Sequence, residues 1–149
     1  MPMSERPYSL RHELKYRIGE DLAQALRDFV VSYLELESHA RGKPDASYRV
    51  HSRYLDSTDH QFYWKGLSSP ERRVQLRVRY YETTERVPIF LETKRWVTNS
   101  VVKFRAAIRP EALHWVLSGQ LPEQSWMATH EPAHLFALQQ FVELQERVS

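Results

Sequence analysis

The chain has no cysteine. Disulfides, thiolate metal sites and a cysteine nucleophile are therefore excluded. Glycine is scarce, with four residues in 149, and no glycine-rich phosphate loop is present. No apolar run approaches the roughly 20 residues that a membrane-spanning helix needs. Met1–Arg6 carries no apolar signal region. No internal repeat, low-complexity tract or composition break marks a linker. No Ser/His/Asp arrangement stands out. The net charge of +2 is too small to imply a polyanion partner by itself, so the placement of the charges matters more than their sum. The length suits a single domain, residues 1–149, with a real core. A folded, cysteine-free chain of this kind fits a cytoplasmic setting.

What the sequence does have is concentrated between Glu71 and Arg109. In Arg73–Tyr81, Arg73, Gln75, Arg77 and Arg79 alternate with Val74, Leu76, Val78 and Tyr80. In Phe90–Trp96, Glu92 and Lys94 share one face, and Leu91 and Thr93 share the other. In Val101–Arg109, Lys103, Arg105 and Arg109 oppose Val102, Phe104, Ala106 and Ile108. Period-two alternation predicts strands with one apolar and one polar face. Short breaks containing Pro88 or Asn99-Ser100 predict an antiparallel meander.

The same alternation predicts a first strand over residues 8–18, with Arg11, Glu13, Lys15 and Arg17 on one face. Gly19 breaks it. Leu22, Leu26, Phe29, Val30, Tyr33 and Leu34 then form a helical stripe that should end before Gly42. Tyr48–Leu55 reads as a further strand. Asp56 or Ser57 is a fitting N-cap for a short helix through Phe62, Tyr63 and Trp64 that stops near Gly66. Pro110 starts a short helix that stops at Gly119. Pro132 opens a last helix with Leu135, Phe136, Leu138, Phe141 and Val142 inward. The histidines are scattered: His12 reads as a core or interface residue, and His130 and His134 as surface residues. The four tryptophans read as packing residues.

A sheet with one charged face ordinarily turns that face to water. Two features count against this here. Solvated faces mix signs, yet Arg11, Lys15, Arg77, Arg79, Lys94, Lys103 and Arg105 share their faces with only Glu13 and Glu92. Separate strands also carry the pattern and can converge. If they curve with their charges inward, the lining must meet an anion or water, because unpaired buried charges are costly. Guanidinium and ammonium groups around such a space suit a chain of phosphates. A nucleic-acid-binding sheet would instead need rings on the basic face, whereas Tyr16, Tyr80 and Phe104 fall on the apolar one.

At these residues the chain resembles the VTC (vacuolar transporter chaperone) domain, the polyphosphate polymerase domain of the triphosphate tunnel metalloenzyme superfamily. Arg11-His-Glu-Leu-Lys-Tyr16 is similar to the family's opening R-x-E-x-K-Y strand. Ser52-Arg-Tyr-Leu-Asp-Ser57 is similar to its S-x-Y-F-D-T segment. Leu76–Tyr80, Phe90–Lys94 and Val102–Arg105 resemble its R-x-R-x-Y, F-L-E-x-K and V-x-K-x-R strands. Each motif alone is weak, but five in order over residues 8–109 are fairly specific. The resemblance implies an α+β fold, an antiparallel β tunnel or half-barrel of the triphosphate tunnel type with flanking helices.

The resemblance further implies transfer of phosphate from ATP to polyphosphate, with Mn2+ or Mg2+. Lys15, Lys65, Arg77, Arg79, Lys94, Lys103 and Arg105 would hold phosphates. Arg77, Arg79 and Lys94 would clamp the reacting triphosphate, and Glu13 and Glu92 would be the metal-side carboxylates. Arg53 departs from the family pattern and is not assigned to the site. The family's second set of tunnel strands has no counterpart beyond Arg109. This implies a partial domain completed by a second copy or another chain, or a non-catalytic module that binds polyphosphate or inositol phosphates. No nucleic-acid partner is expected.

Overall fold

The computed structural model describes residues 8–11, 14–43, 46–82, 87–97, 100–120 and 123–148. Five strands form one antiparallel sheet: β1 (Tyr8–Arg11), β2 (Val50–Leu55), β3 (Val74–Tyr81), β4 (Ile89–Val97) and β5 (Ser100–Ile108). Their order across the sheet is β1-β5-β4-β3-β2. The helices α1 (Glu20–Val30), α2 (Gln61–Ser68), α3 (Leu113–Leu117) and α4 (Pro132–Glu146) flank it. The architecture is α+β, and the meander β3-β4-β5 follows the alternation of the sequence. Among the described residues the sheet is open, with β1 and β2 as its two edges.

The long first strand expected over residues 8–18 is corrected. β1 pairs with β5 only as far as Arg11 opposite Val101, and β5 itself begins at Ser100. Leu14 to Gly19 lie outside the sheet and exposed. A strand cannot continue where its neighbour has turned away, because its backbone groups lose their partners. The N-cap signal at Asp56 and Ser57 acts on α2 from a short distance. Asp56 accepts hydrogen bonds from the N–H groups of Phe62 and Tyr63, both at 2.9 Å, and Ser57 Oγ accepts from Gln61 N–H at 3.0 Å. His60, at φ 57°, makes the left-handed step between the two.

The core lies on the apolar side of the sheet. Leu76 and Val78 from β3, Leu91 from β4, and Ala106 and Ile108 from β5 cluster with Ala137, Leu138 and Phe141 of α4. α4 crosses β5, β4 and β3, so that side is covered. Side chains the size of Leu138 and Phe141 each contribute about 1.5–3 kcal/mol when fully buried, and both are. His134, expected at the surface, is buried instead, and its Nδ1 accepts the Ala107 N–H at 3.0 Å. The Ala107 carbonyl accepts Ala128 N–H at 3.0 Å. The described pairing of β1 starts at Tyr8 opposite Phe104, and at Ala107 the backbone partners come from the start of α4 and the segment before it.

Packing does not use every apolar stripe. α1 buries none of its residues, and Leu22, Leu26 and Phe29 are exposed. Trp64 and Trp115, expected to pack, are exposed as well. No described helix is long and apolar enough to cross a membrane.

Candidate functional site

The face of the sheet opposite α4 carries the charges. The register sets them in three rows, about 7 Å apart because strand residues rise about 3.3 Å each and every second one shares a face. The first row is Gln75, Lys94 and Lys103. The middle row is Tyr54, Arg77, Glu92 and Arg105. The third is Ser52, Arg79, Phe90 and Ala107. Convergence is thus a product of register: three strands present their charged residues side by side.

Glu92 is the centre of the arrangement. It is 1% exposed. Its Oε1 accepts hydrogen bonds from Arg105 Nε at 2.8 Å and lies 3.0 Å from Lys103 Nζ, and Arg77 donates to its Oε2. The Arg77, Lys103 and Arg105 side chains keep 19%, 21% and 26% of their exposure. Burial pushes the Glu92 carboxyl up, but Lys103, Arg105 and Arg77 together override it and hold the value at about 2. Burial presses the Lys103 ammonium below its ordinary value, against the pull of Glu92. Three cations against one carboxylate leave the group with excess positive charge, half out of water.

Rings hold the remaining side chains in place. Arg77 Nη1 donates to the Tyr54 hydroxyl at 3.3 Å, and Arg79 Nε to Ser52 Oγ at 3.1 Å. The Arg105 guanidinium lies 4.8 Å from the Phe90 ring centre. Lys94 Nζ and the Arg73 guanidinium lie 4.6 and 5.2 Å from the Trp96 ring centre. Such contacts are worth about 0.5–2 kcal/mol and fix long side chains that would otherwise sweep through water. At the far end of the face, His39 and Tyr48 pack on Tyr81, which in turn meets Phe90.

With this geometry in view, the comparison with known families is decisive. A family model for the VTC domain matches residues 10–149. The chain belongs to the VTC domain family. Membership links it to polyphosphate in general terms. The match runs well beyond Arg109, where the motif resemblance had stopped, and so takes in the helical C-terminal part. A search of the curated proteins found no match.

The VTC sheet brings together Arg77, Arg79, Lys94, Lys103 and Arg105 on one face around Glu92. It does not gather every residue expected there. Lys15 lies past the end of β1, outside the sheet and exposed. Lys65 sits on α2, with its Nζ 3.5 Å from Gln61 Oε1. Glu13 falls outside the described residues. Arg53 projects from β2 toward the other side and is exposed. Phe104 packs against the core on the apolar side, as expected, but Tyr54, Phe90 and Trp96, which that expectation did not consider, stand on the charged face. The signal was present, since positions 90 and 96 have the same parity as 92 and 94.

Glu92 does not fit a divalent metal as it stands. Both of its oxygens accept from cations, so an Mn2+ or Mg2+ there would meet three positive groups at hydrogen-bond distance. Among the described residues, no cluster of three or more His, Asp or Glu could hold a metal ion.

Proposed function

We propose that the charged face of this VTC domain binds a chain of phosphates, a triphosphate or polyphosphate. The observation that carries the reading is the half-buried excess of cations around Glu92. An isolated group of this kind is costly. A polyanion that bridges neighbouring rows relieves the repulsion, and guanidinium groups match phosphate oxygens in pairs. The rings of Tyr54, Phe90 and Trp96 are each covered by a cation, which favours phosphate over the stacked bases of a nucleic acid.

Transfer of the terminal phosphate of ATP to polyphosphate is the fuller activity. It needs an acceptor held in line with the leaving group, so the ligand must be enclosed on more than one side. One open sheet supplies one wall. We place transfer in an assembly where a second copy or another chain closes the tunnel. The open sheet favours the second reading, a non-catalytic polyphosphate or inositol-phosphate module, for the chain alone. A cytoplasmic setting agrees with either.

Calorimetry with inorganic tripolyphosphate tests binding. The wild type should bind, and Arg77→Ala combined with Lys94→Ala should abolish the signal. No binding by the wild type refutes the proposal. Incubation with ATP and Mn2+, followed by an assay for polyphosphate, separates the two readings: product selects transfer, and binding without product selects the module.

A further inference from the structure

The charged face finishes differently at its two ends. Tyr81 has the parity of Arg77 and Arg79, so it stands on that face, one row beyond Arg79 and Phe90. A ring at the margin of an open face is ordinarily wet, yet Tyr81 is only 9% exposed. Its cover comes from the segment that precedes β2. His39 stacks on the Tyr81 ring at 4.4 Å, with 19° between the planes, and Tyr48 meets it edge-on at 5.7 Å. The His39 and Tyr48 rings lie 5.5 Å apart, centre to centre. Tyr81 in turn meets Phe90 at 5.7 Å, and its hydroxyl accepts a hydrogen bond from Arg105. The Tyr81 side chain therefore reaches back from the last row to the middle one, with two further rings packed on it.

The covering segment is tied down. Glu37 accepts hydrogen bonds from the N–H groups of His39 and Ala40, each at 2.9 Å, and Ala40 is buried. Lys43 Nζ reaches the Glu82 carbonyl at 3.5 Å, and Glu82 N–H donates to the Arg49 carbonyl at 3.1 Å. The packed rings form a stop across this end of the face. At the opposite end the cations run on: Arg73 and Lys94 lie over Trp96, and Arg73 is exposed. The kind of cation also changes along the face. The guanidinium groups of Arg77, Arg79 and Arg105 are the ones nearest the stop, and the ammonium groups of Lys94 and Lys103 lie toward the open end. A phosphate chain has the same asymmetry. Its terminal phosphate has three unbridged oxygens and up to two charges, which suits paired contacts from several guanidinium groups. An inner phosphate has less of both and is met by point charges.

We propose that this domain recognises the end of a phosphate chain. The terminal phosphate sits among Arg77, Arg79 and Arg105 against the stop of Tyr81, His39 and Tyr48, and the rest of the chain leaves past Lys94, Lys103 and Arg73. The proposal rests on the phosphate-binding reading of the face and adds a polarity to it. The stop closes one end of the face and leaves its broad side open, so a bound chain can extend in one direction only.

The test counts proteins per polyphosphate. Inorganic polyphosphate many times longer than the face is titrated with the wild type, and the mass of the complexes is read by analytical ultracentrifugation. End recognition limits loading to one protein at each end, whatever the length of the polyphosphate. Loading that rises with length shows binding along the chain and overturns the proposal. Polyphosphate with both ends capped as phosphoramidates should bind about tenfold more weakly, the scale of losing one charge-assisted contact, and equal affinity of capped and uncapped polyphosphate overturns the proposal as well. His39→Ala combined with Tyr48→Ala removes the stop and should let the polyphosphate pass, so that loading exceeds one protein per end. A folded double variant that keeps the limit overturns the role of the rings. Circular dichroism checks its fold, and if it does not fold, wild-type loading and the capped polyphosphate decide the matter. A wild type that binds tripolyphosphate but loads along long polyphosphate leaves the phosphate face standing without the end assignment. Failure of the wild type to bind either removes both proposals.

Discussion

Replacing Glu92 by Gln removes one charge and almost no volume, so it isolates the electrostatic role of this carboxylate. Burial raises the carboxyl and three cations lower it, leaving a value of about 2 against an ordinary 4.5. Each pH unit of difference is worth about 1.4 kcal/mol, so the charged carboxylate contributes about 3 kcal/mol to stability at neutral pH. The sign follows from the depressed value. The unfolded chain takes up its proton first as pH falls. The contribution is therefore complete above about pH 4.5 and is lost as pH approaches about 2. Urea denaturation at pH 7 should show Glu92→Gln less stable than wild type by about 3 kcal/mol, a large part of the 5–15 kcal/mol that holds a typical domain together. The gap should narrow as both proteins are compared at lower pH. Added tripolyphosphate should stabilise the variant more than the wild type, since it supplies the missing negative charge to Arg77, Lys103 and Arg105. A variant as stable as wild type at pH 7, or a deficit unchanged down to pH 2.5, would refute the reasoning. A loss of tripolyphosphate binding in the variant would instead make Glu92 a direct requirement for the ligand.

Other outcomes follow from single contacts and are read by the same denaturation assay. His134→Ala leaves the Ala107 N–H without its acceptor and should cost about 1–3 kcal/mol, more than removal of an exposed histidine such as His60. Leu138→Ala opens a cavity under α4 and should cost about 2–5 kcal/mol. Gly119→Ala meets no atom within 4 Å, so only the φ of +76° opposes it, at about 1 kcal/mol.

The sequence made the meander legible because each strand repeats with period two and each break carries a turn residue. The five face residues Arg77, Arg79, Lys94, Lys103 and Arg105 come from that parity and needed no tertiary information. What parity cannot supply is register. It does not say that Arg77 and Arg105 flank the same carboxylate, nor that β1 loses its partner where β5 begins. The burial of His134 was equally hidden. Its position in α4 is ordinary, and its role comes from an N–H on β5 outside the described pairing of β1. The rings on the charged face were legible by parity, but their meaning was not. Phe90 and Trp96 sit beneath cations, and only the packing shows it.

One carboxylate among three cations also separates two tasks that a tunnel would perform together. Glu92 draws Arg77, Lys103 and Arg105 inward and holds them at fixed distances before any ligand arrives, which lowers the ordering cost of binding. On the proposed reading, binding of a phosphate chain would need nothing beyond this sheet. Transfer is different, because a phosphate lying on an open wall is exposed to water on its other side and its acceptor is free to wander. Effective alignment is worth about 7–11 kcal/mol of barrier, and a single wall does not provide it. Whatever closes over the sheet would leave the cations where they are and add the missing constraint, so it should raise turnover far more than it raises affinity.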